Sequence, residues 1–200
     1  MFDKEIIVKF YKKILKELLT EQVIINFDKI YVCGGSGVIE SLKPLQKEYG
    51  NVLIKTQSNN NYLNILHECS HIIMSSGLGN FLESVGIAKS IMYIPPVNYS
   101  QLLQLEEYKK LNLGFDIINW DSYSFYKKIP NQLDEETGVN MVIDNVKNYL
   151  TDNSLILSKS VNEFIKNKNQ QKFFNARDAY ISKFSNNASQ IITKTILEGI

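Results

Sequence analysis

The fold of this chain is decided by one stretch, residues 71–83, which reads HIIMSSGLGNFLE. Its apolar start predicts a strand, the serines and glycines predict a turn, and the remainder predicts a helix. A glycine turn that opens a helix at the end of a parallel strand leaves free backbone N–H groups and the positive end of the helix dipole facing a ligand. The stretch therefore predicts an anion site.

A second turn of the same kind lies upstream. The segment Cys33-Gly34-Gly35-Ser36-Gly37 follows the apolar run Ile30-Tyr31-Val32. Each turn by itself predicts one anion-binding corner. Two such turns in one short chain indicate a ligand that carries phosphates.

Short apolar runs alternate with helical patterns over residues 28–118, the region that we interpret as one α/β domain. We predict strands at 29–33, 52–56, 71–75, 90–94 and 114–118, and helices near 38–49, 61–69, 79–88 and 100–111. Pro44 predicts a break in the first of these helices, or a late start. Strands separated by helices form βαβ units, and continuous apolar strands suit a sheet covered on both faces. The predicted fold class is α/β, a Rossmann-like doubly wound parallel sheet with a helical C-terminal extension.

Helical patterns flank this domain on both sides. Residues 1–27 hold a lysine-rich amphipathic helix, from Asp3 to about Leu19, and a lead-in. Its apolar face predicts docking on the chain itself or on a neighbour, and a peripheral contact with a membrane surface is the alternative. Residues 119–200 predict a helical extension that packs on the domain or on a partner, with helices near 134–150, 158–184 and 185–197. Asparagines at 59–61 predict a loop.

The composition restricts the function. The formal charge of +1 argues against a nucleic-acid binder, since such domains are usually strongly basic. Arg177 is the one arginine in the sequence, so backbone amides, hydroxyls and lysines would have to hold a diphosphate. Cys33 and Cys69 form no disulfide framework and are expected to be buried, reduced thiols. With no apolar run long enough to span a bilayer, the sequence predicts a cytoplasmic protein, membrane-associated if the first helix contacts a surface.

These turns and their order resemble the C-terminal, nucleotide-sugar-binding domain of GT-B glycosyltransferases, most nearly the peptidoglycan N-acetylglucosaminyltransferase group. Gly34-Gly35-Ser36 is similar to that group's Gly-Gly-Ser turn. Ser76 to Glu83 is similar to its Ser-Gly-x-x-Thr-x-x-Glu turn and helix, with Asn80 in place of threonine. The strand that ends in Pro95-Pro96 and the glutamines that follow it also look similar. The resemblance covers about residues 28–118.

The resemblance implies a role for each matching residue. The backbone of the two turns would cradle the diphosphate, Glu83 would accept hydrogen bonds from the ribose hydroxyls, and two glutamines would bind the sugar hydroxyls. The donor-binding residues implied in this way are Gly34, Gly35, Ser36, Gly37, Ser76, Gly77, Leu78, Gly79, Asn80, Glu83, Gln101 and Gln104. Helix N-termini can stabilise the leaving diphosphate without a metal, so no cofactor is expected. No catalytic residue is assigned.

The resemblance also implies a partner. The family's acceptor-binding domain has no counterpart in this sequence, so the acceptor is expected on a missing domain or on a partner chain, as in split transferases that act on dolichol-linked acceptors. The expected activity is transfer of a hexosyl or N-acetylhexosaminyl group from a nucleoside diphosphate sugar, with UDP as the expected nucleotide. A non-catalytic nucleotide-sugar-binding subunit is an alternative.

A competing motif precedes the second turn. His67-Glu68-Cys69-Ser70-His71 matches H-E-x-x-H, which on a helix places two imidazoles on one face for zinc, with Glu68 as general base. A zinc peptidase would need one helix from residue 61 to about 74 and a third ligand such as Glu83 or Glu106. The apolar residues 72–74 favour a strand instead, and a strand would separate the two histidines.

Overall fold

The computed structural model describes residues 4–87, 90–123, 126–152, 156–167 and 171–183, and it shows an α/β protein. The strands are β1 (Ile30–Val32), β2 (Val52–Ile54), β3 (Ile72–Met74), β4 (Ile91–Tyr93) and β5 (Asp116–Ile117). The helices are α1 (Lys4–Leu18), α2 (Glu21–Ile24), α3 (Ser36–Gln46), α4 (Asn59–Glu68), α5 (Leu78–Val85), α6 (Tyr99–Leu111), α7 (Glu135–Thr151), α8 (Ile156–Lys166) and α9 (Gln171–Ser182). All five predicted strands are confirmed, and each is shorter than predicted.

The strands form two parallel groups. Strand β1 pairs with β2, with Ile30 opposite Val52, and the second group has the order β3-β4-β5. In the second group, Ile72 lies opposite Ile91 and Tyr93 lies opposite Ile117. Strand β4 is buried along its whole length, as its uninterrupted apolar sequence requires. The carboxyl ends of all the strands in a group meet at one edge, which brings the segments that follow them together.

Helix α1 packs along α7, α8 and α3. Its residue Phe10 is fully buried, and the Phe10 ring lies 5.6 Å from that of Tyr149 and 6.2 Å from that of Trp120. Lys13 fixes the same contact, because its Nζ donates to the backbone oxygens of Tyr149, at 2.8 Å, and Asp152. The interpretation of α1 as a helix docked on its own chain is thereby confirmed, and packing accounts for its apolar face.

Several predicted boundaries are wrong for local reasons. Helix α3 starts at Ser36 rather than late, since Pro44 falls in its last turn, where the helix is already ending. Residues 59–61 are not a loop but the first turn of α4, because Ser58 Oγ accepts from the Asn61 N–H at 3.4 Å and caps that helix. The helix predicted over 158–184 is divided into α8 and α9. The helix predicted over 185–197 lies outside the described residues.

Among the described residues, no helix is both long enough and apolar enough to cross a bilayer.

Candidate functional site

The first glycine turn joins β1 to α3. Gly35 is the N-cap residue of α3, with φ −64° and ψ 147°, and Gly34, Gly35 and Ser36 are all exposed. A glycine N-cap has no side chain to occupy the first backbone N–H groups of the helix, so these donors stay open to a ligand. A Cβ added at Gly35 would meet no described atom within 4 Å, which leaves room for a ligand against the turn.

The second glycine turn joins β3 to α5 in the same way. Gly77 is the N-cap residue of α5, with φ −64° and ψ 137°. Ser76 fixes this turn on its buried side: the residue is fully buried, and its Oγ donates to the backbone oxygen of Gln101 at 2.8 Å. This bond ties the start of α5 to the start of α6. Beyond it, Leu78, Gly79 and Asn80 lie exposed on the first turn of α5.

One cavity of about 740 Å³ is lined by the first glycine turn and by residues on either side of the second, Ser75 and Asn80. Gly34 and Gly35 line it from the first turn, and Asn80 and Glu83 line it from α5. Strand β1 contributes Tyr31 and Val32, and strand β3 contributes Ile72 to Met74. The first anion corner predicted from sequence therefore opens on this space at the ends of β1 and β3, and the second lies between two residues that line it. The half-buried carboxylate of Glu83 is on the cavity wall.

The other predicted donor-binding residues are not among the described residues that line this cavity. Ser36 and Gly37 form the start of α3, while Ser76, Gly77, Leu78 and Gly79 form the second turn and the start of α5. Gln101 and Gln104 are not among the described residues that line the cavity. Gln101 holds the preceding loop, because its Oε1 accepts from the Val97 N–H at 3.1 Å. Gln104 keeps a buried Oε1 that has no hydrogen-bond partner within the described part of the chain.

The lysine side chains of Lys4 and Lys55 lie near the first glycine turn. A Cβ built at Gly37 would lie 3.1 Å from the Nζ of Lys4, so the ammonium group of α1 sits against the first turn of α3. A cation beside a helix N-terminus is electrostatically unfavourable unless an anion lies between them. Burial, and then the neighbouring Cys69, raise the pKa of the Cys33 thiol, while the positive charge of Lys55 lowers it by less.

The two cysteines are half-buried rather than fully buried. Cys33 and Cys69 both line the cavity, and neither forms a disulfide bond within the described part of the chain. The prediction that both thiols are buried is therefore wrong, and their reduced state stays a prediction. Because burial raises the pKa of Cys33, its thiol is protonated near neutral pH and is a poor nucleophile.

The zinc interpretation fails on geometry. Helix α4 ends at Glu68, Cys69 is extended with ψ 132°, and His71 stands just before β3, so His67 and His71 do not share a helical face. The ring of His71 lies edge-on between Phe27 and Phe164, at 5.4 and 5.2 Å, and burial lowers its pKa. No group of three or more potential ligands from His, Cys, Asp and Glu assembles in the described ranges.

Tyr11, Gln57 and Tyr62 are among the cavity residues that were not predicted from sequence. Tyr11 reaches the cavity from α1, and burial raises its pKa against a hydrogen bond with Ser75 that lowers it. Gln57 follows β2 by three residues, so the rule that ligands bind at the carboxyl ends of strands could have found it. No pattern in the sequence points to Tyr11, because its place depends on how α1 docks.

No protein-family model, curated protein or solved structure matches this chain.

Proposed function

We propose that this chain is the donor-binding half of a GT-B glycosyltransferase. It takes a hexosyl or N-acetylhexosaminyl group from a nucleoside diphosphate sugar and passes it to an acceptor held by another domain or by a partner chain. The observation that supports the proposal is the cavity of about 740 Å³ that is lined by Gly34 and Gly35 of the first glycine turn and by Asn80 and Glu83 of the helix that follows the second.

A Rossmann-like doubly wound sheet is part of this proposal. In that arrangement β1 and β3 are neighbours at the centre of one sheet, with the crevice between their carboxyl ends as the binding site. The support is that Tyr31 and Val32 from β1 line the same cavity as Ile73 and Met74 from β3. Both groups are parallel internally, which is what one continuous parallel sheet requires.

The chemistry needs stabilisation of a leaving group. The bond between the anomeric carbon and the β-phosphate oxygen breaks, and a bond from the acceptor oxygen forms. The acceptor proton goes to a base on the acceptor side, and the nucleoside diphosphate leaves with the bonding electrons. Negative charge grows on the diphosphate in the transition state, so donors fixed at the N-termini of α3 and α5 stabilise it. Lys4 adds a positive charge at the first of these sites.

Glu83→Ala tests the assigned ribose contact. We expect UDP to bind the unaltered chain and to raise its melting temperature. The substitution should lower UDP affinity by about 10-fold to 100-fold, since a hydrogen bond to a charged group contributes about 1.5–3 kcal/mol. Isothermal titration calorimetry measures this. Glu48→Ala, at an exposed glutamate outside the cavity, is the matched control and should change nothing.

The outcomes of that titration separate the possible functions. If the unaltered chain binds no nucleoside diphosphate, the proposal is wrong. If it binds UDP but transfers no sugar when a matching acceptor-binding half is supplied, the chain is a non-catalytic nucleotide-sugar-binding subunit. Tight stoichiometric zinc binding that is lost in His67→Ala would restore the peptidase interpretation.

Lys4→Ala tests the charge at the first turn. Because the Nζ of Lys4 lies at the N-terminus of α3, its loss should weaken binding of UDP and of inorganic pyrophosphate alike, by about fivefold at low salt. The effect should shrink as salt is added. Lys47→Ala, an exposed lysine at the opposite end of α3, is the control. If both variants lose the same amount of affinity, Lys4 does not contact the bound phosphates.

A further inference from the structure

Among the described residues that line the cavity, Gln57 has a buried side-chain N–H group without a hydrogen-bond acceptor. Its Nε2 is buried and makes no hydrogen bond to any described residue, although Gln57 lines the cavity. A buried N–H group without an acceptor costs about 1–3 kcal/mol, so a ligand that supplies an acceptor would be favoured at this place. A carbonyl oxygen is an acceptor of the right kind.

The neighbours of Gln57 show which part of a ligand would meet it. The segment after β2 stays beside the first glycine turn, since the Lys55 N–H donates to the Val32 oxygen at 3.2 Å. From there the chain enters α4, whose residue Tyr62 also lines the cavity. Burial raises the pKa of Tyr62, a hydrogen bond with Ser84 lowers it, and the charge of Glu83 raises it, so the phenol lies near the start of the last turn of α5 and near that carboxylate. One wall therefore runs from the first turn past Gln57 and Tyr62 to Glu83.

We infer that this wall holds the nucleobase, with Gln57 as the residue that selects a base bearing a carbonyl oxygen. The inference depends on the proposed function, in which Glu83 binds the ribose. A nucleoside with its ribose at Glu83 and its phosphates at the glycine turns extends its base toward α4. Tyr62 supplies an aromatic surface there, and the Gln57 Nε2 donates to a carbonyl such as those of uracil.

The experiment compares ligands with and without a base. In the unaltered chain, UDP should bind more tightly than ADP, whose base has no carbonyl. Gln57→Leu should weaken UDP binding about tenfold and leave inorganic pyrophosphate binding unchanged. Gln57→Glu should weaken UDP binding further, because a carboxylate faces the carbonyl, and should lower the ratio of UDP to ADP affinity. Asn64→Leu, at an exposed amide on α4 outside the cavity, is the control for folding and should behave as the unaltered chain.

The failures are distinguishable. If no nucleoside diphosphate binds, the proposed function falls and this inference falls with it. If UDP binds but Gln57→Leu and the unaltered chain have the same ratio of UDP to ADP affinity, the base does not meet Gln57, and only the inference is overturned. A parallel loss of pyrophosphate binding in Gln57→Leu would also overturn it, since the residue would then act on the phosphates or on the fold.

Discussion

Gly138→Ala should destabilise the protein by about 3 kcal/mol, near the upper end for overpacking a tight core. A Cβ built at Gly138 in α7 would lie 2.4–2.6 Å from three ring atoms of Tyr99. The Tyr99 ring cannot shift aside easily, because the residue is 2% exposed and its hydroxyl group makes two hydrogen bonds. The hydroxyl donates to the Pro130 oxygen at 2.9 Å and accepts from the Leu133 N–H at 3.0 Å. Thermal unfolding should show a melting temperature about 6–12 °C lower.

The matched control is Gly86→Ala. Gly86 ends α5 with φ −75°, and a Cβ there would meet no described atom within 4 Å. Alanine fits that conformation and restricts the unfolded chain, so stability should stay the same or rise by about 0.5 kcal/mol. Similar melting temperatures for the two variants would mean that α7 can move away from Tyr99.

The Gly138 contact also concerns the candidate site. Tyr99 is the first residue of α6, and the backbone oxygen of Gln101, two residues later, receives the Ser76 bond that anchors the second glycine turn. If Tyr99 is displaced, that anchor should loosen. A folded fraction of Gly138→Ala would therefore bind UDP more weakly, although Gly138 itself lies outside the cavity.

The sequence predicts the parts of the fold that depend on local patterns. The strand–turn–helix order around Gly35 and Gly77 follows from glycine at an N-cap after an apolar run, and both helices begin within two residues of the predicted starts. The separation of His67 from His71 also follows from the apolar residues of β3. These features need only near neighbours in the chain.

The parts that the sequence does not predict depend on distant contacts. Tyr11 faces the cavity only because α1 docks against α7 and α8, and no local pattern encodes that docking. Gln101 matches a sugar-binding residue in the resemblance, yet its side-chain oxygen holds the Val97 N–H. A residue type at the right spacing does not reveal which partner its side chain will take.

The buried carboxylate of Glu17 is the clearest of these distant contacts. Glu17 lies on α1 and is 2% exposed. Its Oε1 accepts from the Tyr149 hydroxyl at 2.6 Å, and its Oε2 accepts from the Leu157 N–H at 3.1 Å. One side chain therefore joins α1 to α7 and α8, and it holds the helix that carries Tyr11 and Lys4 to the candidate site.

Glu17→Ala should cost about 3 kcal/mol, because it leaves two buried donors without acceptors. Chemical denaturation measures the loss, and Glu5→Ala, at an exposed residue of α1, is the control. A loss no greater than that of the control would mean that water or another acceptor replaces the carboxylate.

The pH dependence of Glu17→Gln tests the charge of this carboxyl group separately. Burial raises the pKa of Glu17 above its ordinary value of 4.5, against hydrogen bonds from Tyr149 and Leu157 that lower it. The folded state therefore holds the proton more tightly than the unfolded state, so ionisation of Glu17 costs stability. This cost is absent below pH 4.5, grows as the pH rises through the raised pKa, and is constant above it.

The free energy of unfolding of the unaltered chain should fall relative to that of Glu17→Gln over this interval. A difference that stays flat, or that grows in favour of the unaltered chain as pH rises, would show that the hydrogen bonds outweigh burial and that the carboxylate is a net stabilising charge.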